Sequence, residues 1–426
     1  MASWLSEIVK QHDELESPPS FWRWSGIAAI SAVVKDQVWL DRQIFNLYPN
    51  IYVMLHADSG LKKGPPVSMA RQLVKAVNNT RIIAGRSSIQ GILKELGTAY
   101  TQPGGKVMNK SVAFICSSEL SSSIVGDPVA TKILTDLYDR QYNVGEWKSL
   151  LKMESFELKD PTVTMLTATN EAMGEDFFTK AAIQGGYFAR TFIVYEKTGD
   201  NVNSLNYPLE HKPNYPVSSN YLKELAKLSG PFRAFAVMEK DDEYRFKKVI
   251  KGRSIYFNEV GIIYEDWYHG FKEQMKLQEI KDETGTMNRF GDSVLKVAML
   301  LSLAEAPCLI VSESAMREAI AECERLLGNA RKTTMGKHGI SNAALLKTMV
   351  IMELLNRETH SVSRIVLMKK MWMHYQHSQE FDDMMQSFDA SGMIKTESIG
   401  NQIIYKMPDE QVKELKIFMA GKGQKQ

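Results

Sequence analysis

Ile51-Tyr52-Val53-Met54-Leu55-His56-Ala57-Asp58-Ser59-Gly60-Leu61-Lys62-Lys63-Gly64-Pro65-Pro66-Val67 is the stretch on which the fold turns. Its first five residues form an unbroken apolar run, the pattern of a strand buried on both faces. Beyond the turn, Val67, Ala70, Leu73, Val74 and Val77 fall on one face of a helix, and Pro65 and Pro66 suit its start. In a strand, glycine-lysine turn and helix, backbone N–H groups and a helix N-terminus can close around phosphate oxygens while a lysine reaches the outer ones. Ser59, Gly60, Lys62, Lys63 and Gly64 are therefore the candidate phosphate ligands; an ordinary strand-to-helix turn with two solvated lysines is the alternative. The pattern G-x-x-x-x-G-K-[ST] is met only in part. With Lys63 in the lysine position, Ala57 and Lys62 replace glycines and Gly64 replaces the hydroxyl residue, which removes a direct magnesium ligand.

Three further apolar runs follow, at Val112–Cys116, Val163–Leu166 and Thr191–Tyr195, alternating with helical stretches as a mostly parallel sheet covered by helices requires. The first runs into Ser117-Ser118-Glu119, so that its C-terminal end delivers a carboxylate able to polarise an attacking water. Ser118 takes the place of a magnesium-holding acid and would reach metal only through water; alternatively, Glu119 simply begins the next helix. The second run ends in Thr167-Ala168-Thr169-Asn170, which nominates Asn170, and next Thr169, to hydrogen-bond a γ-phosphate or its water, or to cap a helix. Gly185-Gly186 leads to Arg190 at the entry of the third, placed to stabilise charge on a transferring phosphoryl group, in cis or across a subunit boundary, or to make a surface ion pair.

Taken in order, FWRWSGIAAISAVV with VWL and LYPNIYVML, DSGLKKG, SSEL, LTATNEAM, GGYFARTFIVYE and MNRFGDSVLKVAMLLSLAE, over roughly residues 18 to 330, resemble the replication ATPases of phages, prophages and other mobile elements. These are P-loop proteins of the AAA+ and hexameric-helicase-like type, often found beside a primase. The resemblance implies an α/β fold: a P-loop NTPase (AAA+-like) three-layer core with a helical lid subdomain and a C-terminal winged-helix domain. The expected divisions are an N-terminal helical lead-in at 1–50, the ATPase core at 51–200, the lid at 201–335 and the winged helix at 341–410. It further implies ATP and Mg2+ as cofactors and a homo-oligomer, a hexamer, acting as an ATPase and DNA helicase-like motor. Single-stranded DNA would pass through the ring channel, with replication proteins such as a primase as partners. Arg289, on the lid helix, would fold back over the nucleotide, with Lys296 a weaker candidate. A hairpin around Tyr142–Leu158 would enter the channel, Lys148 and Lys152 touching phosphates and Trp147 stacking on a base; a plain sheet extension with Trp147 buried is the alternative. A non-hydrolysing replication initiator, loader or scaffold that keeps the ATPase fold is the competing reading, supported by Gly64 and Ser118.

Composition sets outer bounds. Lys and Arg number 52 against 50 Asp and Glu over 426 residues, so a nucleic-acid partner must be met by a local cluster of cations rather than by bulk attraction. The third helix of the C-terminal region, Glu380 to Ala390, carries Glu380, Asp382, Asp383 and Asp389 without a Lys or Arg, which repels a phosphate backbone and favours protein docking. Three widely spaced cysteines, Cys116, Cys308 and Cys323, argue for a reducing compartment and against structural zinc. The longest small-apolar stretch, Gly26 to Val34, is about half of the ~20 residues a membrane span needs. The start lacks a basic region followed by an apolar block, so a cytoplasmic location is expected, the host cytoplasm for a viral protein.

Overall fold

The computed structural model of the chain describes residues 3–85, 87–101, 107–108, 110–118, 127–140, 145–150, 155–170, 186–197, 213–277, 285–335, 350–357, 359–371, 378–399, 402–413 and 415. They fall into two compact units, residues 1–330 and 331–426.

The first unit opens with α1 (Trp4–Lys10), capped by Ser3, and α2 (Pro19–Val34), which begins with proline in its first turn. Strands β1 (Val38–Asp41) and β2 (Asn46–Leu47) pair antiparallel before β3 (Tyr52–Ala57), α3 (Gly64–Val77), β4 (Arg81–Ala84) and α4 (Ile89–Gly97). The short pair β5 (Tyr100–Thr101) and β6 (Val107–Met108) precedes β7 (Val112–Ser117) and α5 (Pro128–Tyr138). A hairpin of β8 (Glu146–Leu150) and β9 (Ser155–Lys159) leads to β10 (Thr162–Asn170), and a 3₁₀ turn at Phe188–Arg190 enters β11 (Thr191–Tyr195). After α6 (Tyr215–Leu225) and β12 (Gly230–Phe232) comes a small antiparallel sheet of β13 (Ala236–Val237), β14 (Phe246–Ile250) and β15 (Arg253–Phe257), then α7 (Glu259–Leu277), α8 (Thr286–Glu305) and α9 (Glu313–Met335).

Five strands form an all-parallel sheet in the order β11-β3-β10-β7-β4. Their residues alternate between two cores. Val53, Leu55, Ala57, Phe114, Cys116, Leu166 and Ala168 face α2 and α3, whereas Tyr52, Met54, Ala113, Ile115, Val163 and Met165 face α4 and α5. This gives helix, sheet and helix layers, and it explains why β3 is buried at every residue. Helix α2 is buried from Phe21 to Val34 apart from Arg23, because α1, α3, α8 and the sheet surround it; a helix apolar on all sides has no face to offer water. Its full-width burial answers for the unbroken WSGIAAISAVV run. Residues 236–257, within the stretch expected to be mainly helical, carry the β13-β15-β14 sheet instead; only Ser254–Phe257 has a strand pattern in the sequence.

The second unit has its own core of Val350, Leu354, Val362, Leu367, Phe381, Met385, Phe388, Ile394 and Tyr405 among others. A helical stretch at 350–355 is followed by β16 (Ser361–Ser363), α10 (Arg364–Met371), α11 (Ser378–Ala390), β17 (Lys395–Ile399) and β18 (Gln402–Lys406). β18 pairs antiparallel with both β16 and β17. Val362 lies in β16 opposite Tyr405. Arg364 Nε and Nη2 donate to the two carboxylate oxygens of Asp382, at 2.8 and 2.7 Å, so one acid of α11 is neutralised within the unit. No described helix is long and apolar enough to cross a membrane.

Candidate nucleotide-binding site

The chain leaving β3 turns to α3 on one face of the sheet, while the chain leaving β7 feeds α5 on the other. β10 ends between them, with Thr169 opposite His56 and Asn170 opposite Ala57. In open parallel sheets the crevice at the carboxyl ends of the strands, where connections part to opposite faces, is the place for a ligand. The turn 58–63, Ser118 and the end of β10 meet at that place.

Within the turn, Asp58, Ser59 and Gly60 are exposed. Gly60 takes φ +98°, open to glycine at little cost, and Lys62 is held at φ +22°. The Lys63 ammonium donates to the carbonyls of Ala57 (2.9 Å) and Asp58 (2.7 Å), folding back over the end of β3. Partial burial lowers its pKa, opposed by the Asp58 carboxylate. Lys62 is tied to the N-terminal region: its carbonyl accepts from Ser17 Oγ at 2.6 Å and its ammonium lies 3.7 Å from Glu16. The amides of Leu61 and Lys62 bond to the carbonyls of Asp58 and Gly60, inside the turn. α3 opens at Gly64, and Pro65 and Pro66 carry no N–H, so the first turn of the helix keeps its dipole with fewer donors.

At the neighbouring strand end, Ser118 is exposed, and Glu119 lies outside the described residues. On β10 the backbone of Asn170 pairs with Ala57, while its side chain is outside the description. Thr169 Oγ1 is buried and has no hydrogen-bond partner among the described residues, an orphan donor at the crevice. His56, also buried, packs its ring against Tyr195 at 5.3 Å between centroids. The Val-Met-Leu-His ending of an otherwise apolar strand was the sequence signal for His56.

Two arginines stand elsewhere. Arg190 precedes Thr191, which pairs with Tyr52 at the start of β3, so a strand length of roughly 20 Å separates it from the Lys63 turn of the same chain. It is buried, its Nε donating to Asp139 Oδ1 at 3.0 Å, its Nη2 to Oδ2 and its Nη1 to the Gly186 carbonyl at 3.0 Å. A guanidinium so engaged is one half of an internal ion pair rather than a free group at a subunit boundary. Arg289, exposed in the first turn of α8, acts electrostatically on Tyr138, whose carbonyl accepts from Asn50 Nδ2 just ahead of β3. It therefore sits at the N-terminal edge of the sheet, away from the turn it was expected to cover.

Lys296 belongs to the same edge. Fully buried, it donates to Asn50 O (2.9 Å) and Oδ1 (3.0 Å) and lies 3.9 Å from the Tyr138 ring centre. Desolvation, aided by Arg190 and opposed by Asp139 and Asp292, brings its pKa down to about 7. Unfolded, the amine binds its proton up to about pH 10, so between these values the unfolded state holds more protons and stability rises with pH. Urea denaturation is expected to show a gain of about 2 kcal/mol from about pH 7 to about pH 9, absent in Lys296→Met; an equal gain in the variant would assign the titration to another group.

In the β8–β9 hairpin, Lys148 lies 3.1 Å from Glu146 and 3.5 Å from Glu157, and Trp147 packs against the α4–α5 core. Lys152 is outside the described residues. Acids thus balance the one described cation nominated for DNA.

Lys63 and the α3 dipole are the features an anion would meet at the turn, whereas the Thr169 hydroxyl is buried on the α4–α5 side of the sheet. Gly64 has no hydroxyl, and no group of three or more His, Cys, Asp or Glu spaced for a metal occurs among the described residues. No family model matches the chain, and no curated protein matches it.

Proposed function

We propose that the chain is an ATP-binding protein of mobile-element DNA replication, working as a ring-forming, helicase-like ATPase of slow turnover, with its C-terminal unit serving as a winged helix. The observation that carries the reading is the meeting of Lys63, Ser118 and Thr169-Asn170 at the carboxyl edge of adjacent parallel strands, where a nucleotide's phosphate tail would lie. In this reading Lys63 holds the outer phosphates, the strand-end acid Glu119 activates water, and Thr169 or Asn170 senses the γ-phosphate. The resemblance supplies the replication setting, the oligomer and the DNA substrate.

A second reading, a non-hydrolysing initiator or loader, draws on one specific feature: the start of α3, without a hydroxyl at Gly64 and without N–H groups at Pro65 and Pro66. Calorimetry with ATP, together with DNA-stimulated turnover, tests both. Lys63→Ala is expected to weaken ATP binding at least tenfold, and Glu119→Gln to stop turnover while sparing binding. Unchanged affinity in Lys63→Ala would remove the site; binding without turnover in the wild type would leave the second reading standing.

A further inference from the structure

The most concentrated positive charge of the described chain lies in the small sheet of the first unit. From Tyr244 to Asn258 the sequence is YRFKKVIKGRSIYFN, with Arg245, Lys247, Lys248, Lys251 and Arg253 and no Asp or Glu, in a chain whose formal net charge is only +2. β14 and β15 pair antiparallel up to Ile250 opposite Arg253, joined by Lys251 and Gly252 at φ 50° and 76°. Two successive positive φ values make the tight turn that matches strand twist and projects the hairpin cleanly.

Register divides the charges between the two faces. Phe246 opposes Phe257, which is buried, and on that face Lys248 is paired with Asp266 of α7 at 2.5 Å. The opposite face carries Lys247 with its cross-strand neighbour Tyr256, and Val249, which is 69% exposed; Arg245 is exposed just ahead of β14, Lys251 is exposed in the turn, and Arg253, opposite Ile250, is exposed at the tip on the Lys248 face. The Lys247 ammonium is 5.9 Å from the Tyr256 ring centre. Among the described residues Arg245, Lys247, Lys251 and Arg253 have no carboxylate partner, and β14 is the edge of its sheet. A lysine or two on an edge strand guards against aggregation. Four exposed cations without a carboxylate partner exceed that need; Glu239, Asp241 and Asp242 stand in the adjoining connection that precedes β14, where Glu243 pairs with Arg233.

We propose that the β14–β15 hairpin is a nucleic-acid contact surface, its cations on the phosphodiester backbone and Tyr256 beside a base or sugar. It rests on the nucleic-acid partner of the proposed function, and not on the nucleotide site. It also places the contact on a hairpin other than β8–β9, whose lysine is balanced by acids.

The test is fluorescence anisotropy of the full chain with labelled oligo(dT) and with duplex DNA over a salt series, comparing wild type with Lys247→Glu/Lys251→Glu/Arg253→Glu. Thermal melting checks the fold, and Lys247→Gln/Lys251→Gln serves if the triple reversal unfolds. The triple variant is expected to bind at least tenfold more weakly, with the slope of log K against log salt for single strands reduced by about 2, as loss of three phosphate contacts requires. The milder pair, which removes two of the three contacts, should reduce the slope by about 1.4. Equal affinity and slope in variant and wild type overturn the proposal. So does a loss confined to Lys148→Glu, which would restore β8–β9, or wild-type binding to phosphatidylserine vesicles or polyglutamate but not to DNA. No binding of DNA by the wild type at low salt sinks both the hairpin and the replication reading. Loss of DNA binding in the hairpin variant with no ATP binding at Lys63 would remove the nucleotide site alone.

Discussion

Arg190→Ala is expected to destabilise the first unit by about 3–5 kcal/mol, which makes it a folding variant before it is a catalytic one. The guanidinium makes two bonds to the Asp139 carboxylate and a third to the Gly186 carbonyl, all under cover of the α4–α5 core. Truncation removes three charge-assisted hydrogen bonds and leaves Asp139 without its guanidinium in a poorly hydrated place, a larger loss than the pair's own net contribution. Gly186 shares the arrangement. Its φ is +78°, and a Cβ there would stand 2.8 Å from Arg190 Nη1, so Gly186→Ala should destabilise in the same direction. Urea denaturation followed by tryptophan fluorescence measures both. A group that instead served a neighbour's nucleotide would leave the midpoint of Arg190→Ala within ~0.5 kcal/mol of wild type and would show its loss only in subunit-mixing experiments.

The pairing of Arg190 with Asp139 shows where sequence reading stops. Fifty-one positions part the two residues, and Lys296 meets Asn50 across 246; no local pattern announces either contact. Local signals did locate β3, β7, β10 and β11, since each is an apolar run covered on both faces. They passed over β4, four residues at the edge of the sheet whose first, Arg81, interrupts the apolar pattern although its side chain is buried. They also passed over β14, where the adjacent Lys247 and Lys248 hide the alternation of a strand. The order of strands, which brings the end of β10 between those of β3 and β7, is a long-range property of helix crossovers and was not legible at all. Of the candidate site, the Lys63 turn was legible because strand, turn and helix are contiguous. The orphaned hydroxyl of Thr169 was not, because its lack of a partner depends on what every neighbour does.

Restoring two oxygen ligands, Gly64→Ser with Ser118→Asp, is expected to make ATP binding magnesium-dependent and to raise turnover at least tenfold, approaching a hundredfold if both act together. The wild-type affinity should shift by less than about threefold when magnesium is chelated, because Gly64 offers no hydroxyl and Ser118 no carboxylate at the two positions that would hold the cation. Each replacement is sterically permitted. A Cβ at Gly64 meets nothing within 4 Å, and Ser118 is exposed at the end of β7. Neither change supplies the N–H groups missing at Pro65 and Pro66, so phosphate affinity without metal should stay near that of the wild type while the metal-dependent part grows. Calorimetry and phosphate release, each with and without chelator, separate the two terms. If the wild type already needs magnesium to bind ATP, the metal is held by oxygens other than these two positions, and the weakness read into Gly64 and Ser118 does not exist. If the double variant gains magnesium dependence without gaining turnover, the site seats a nucleotide whose hydrolysis is limited by the acid that follows β7, and the non-hydrolysing loader is the reading that remains.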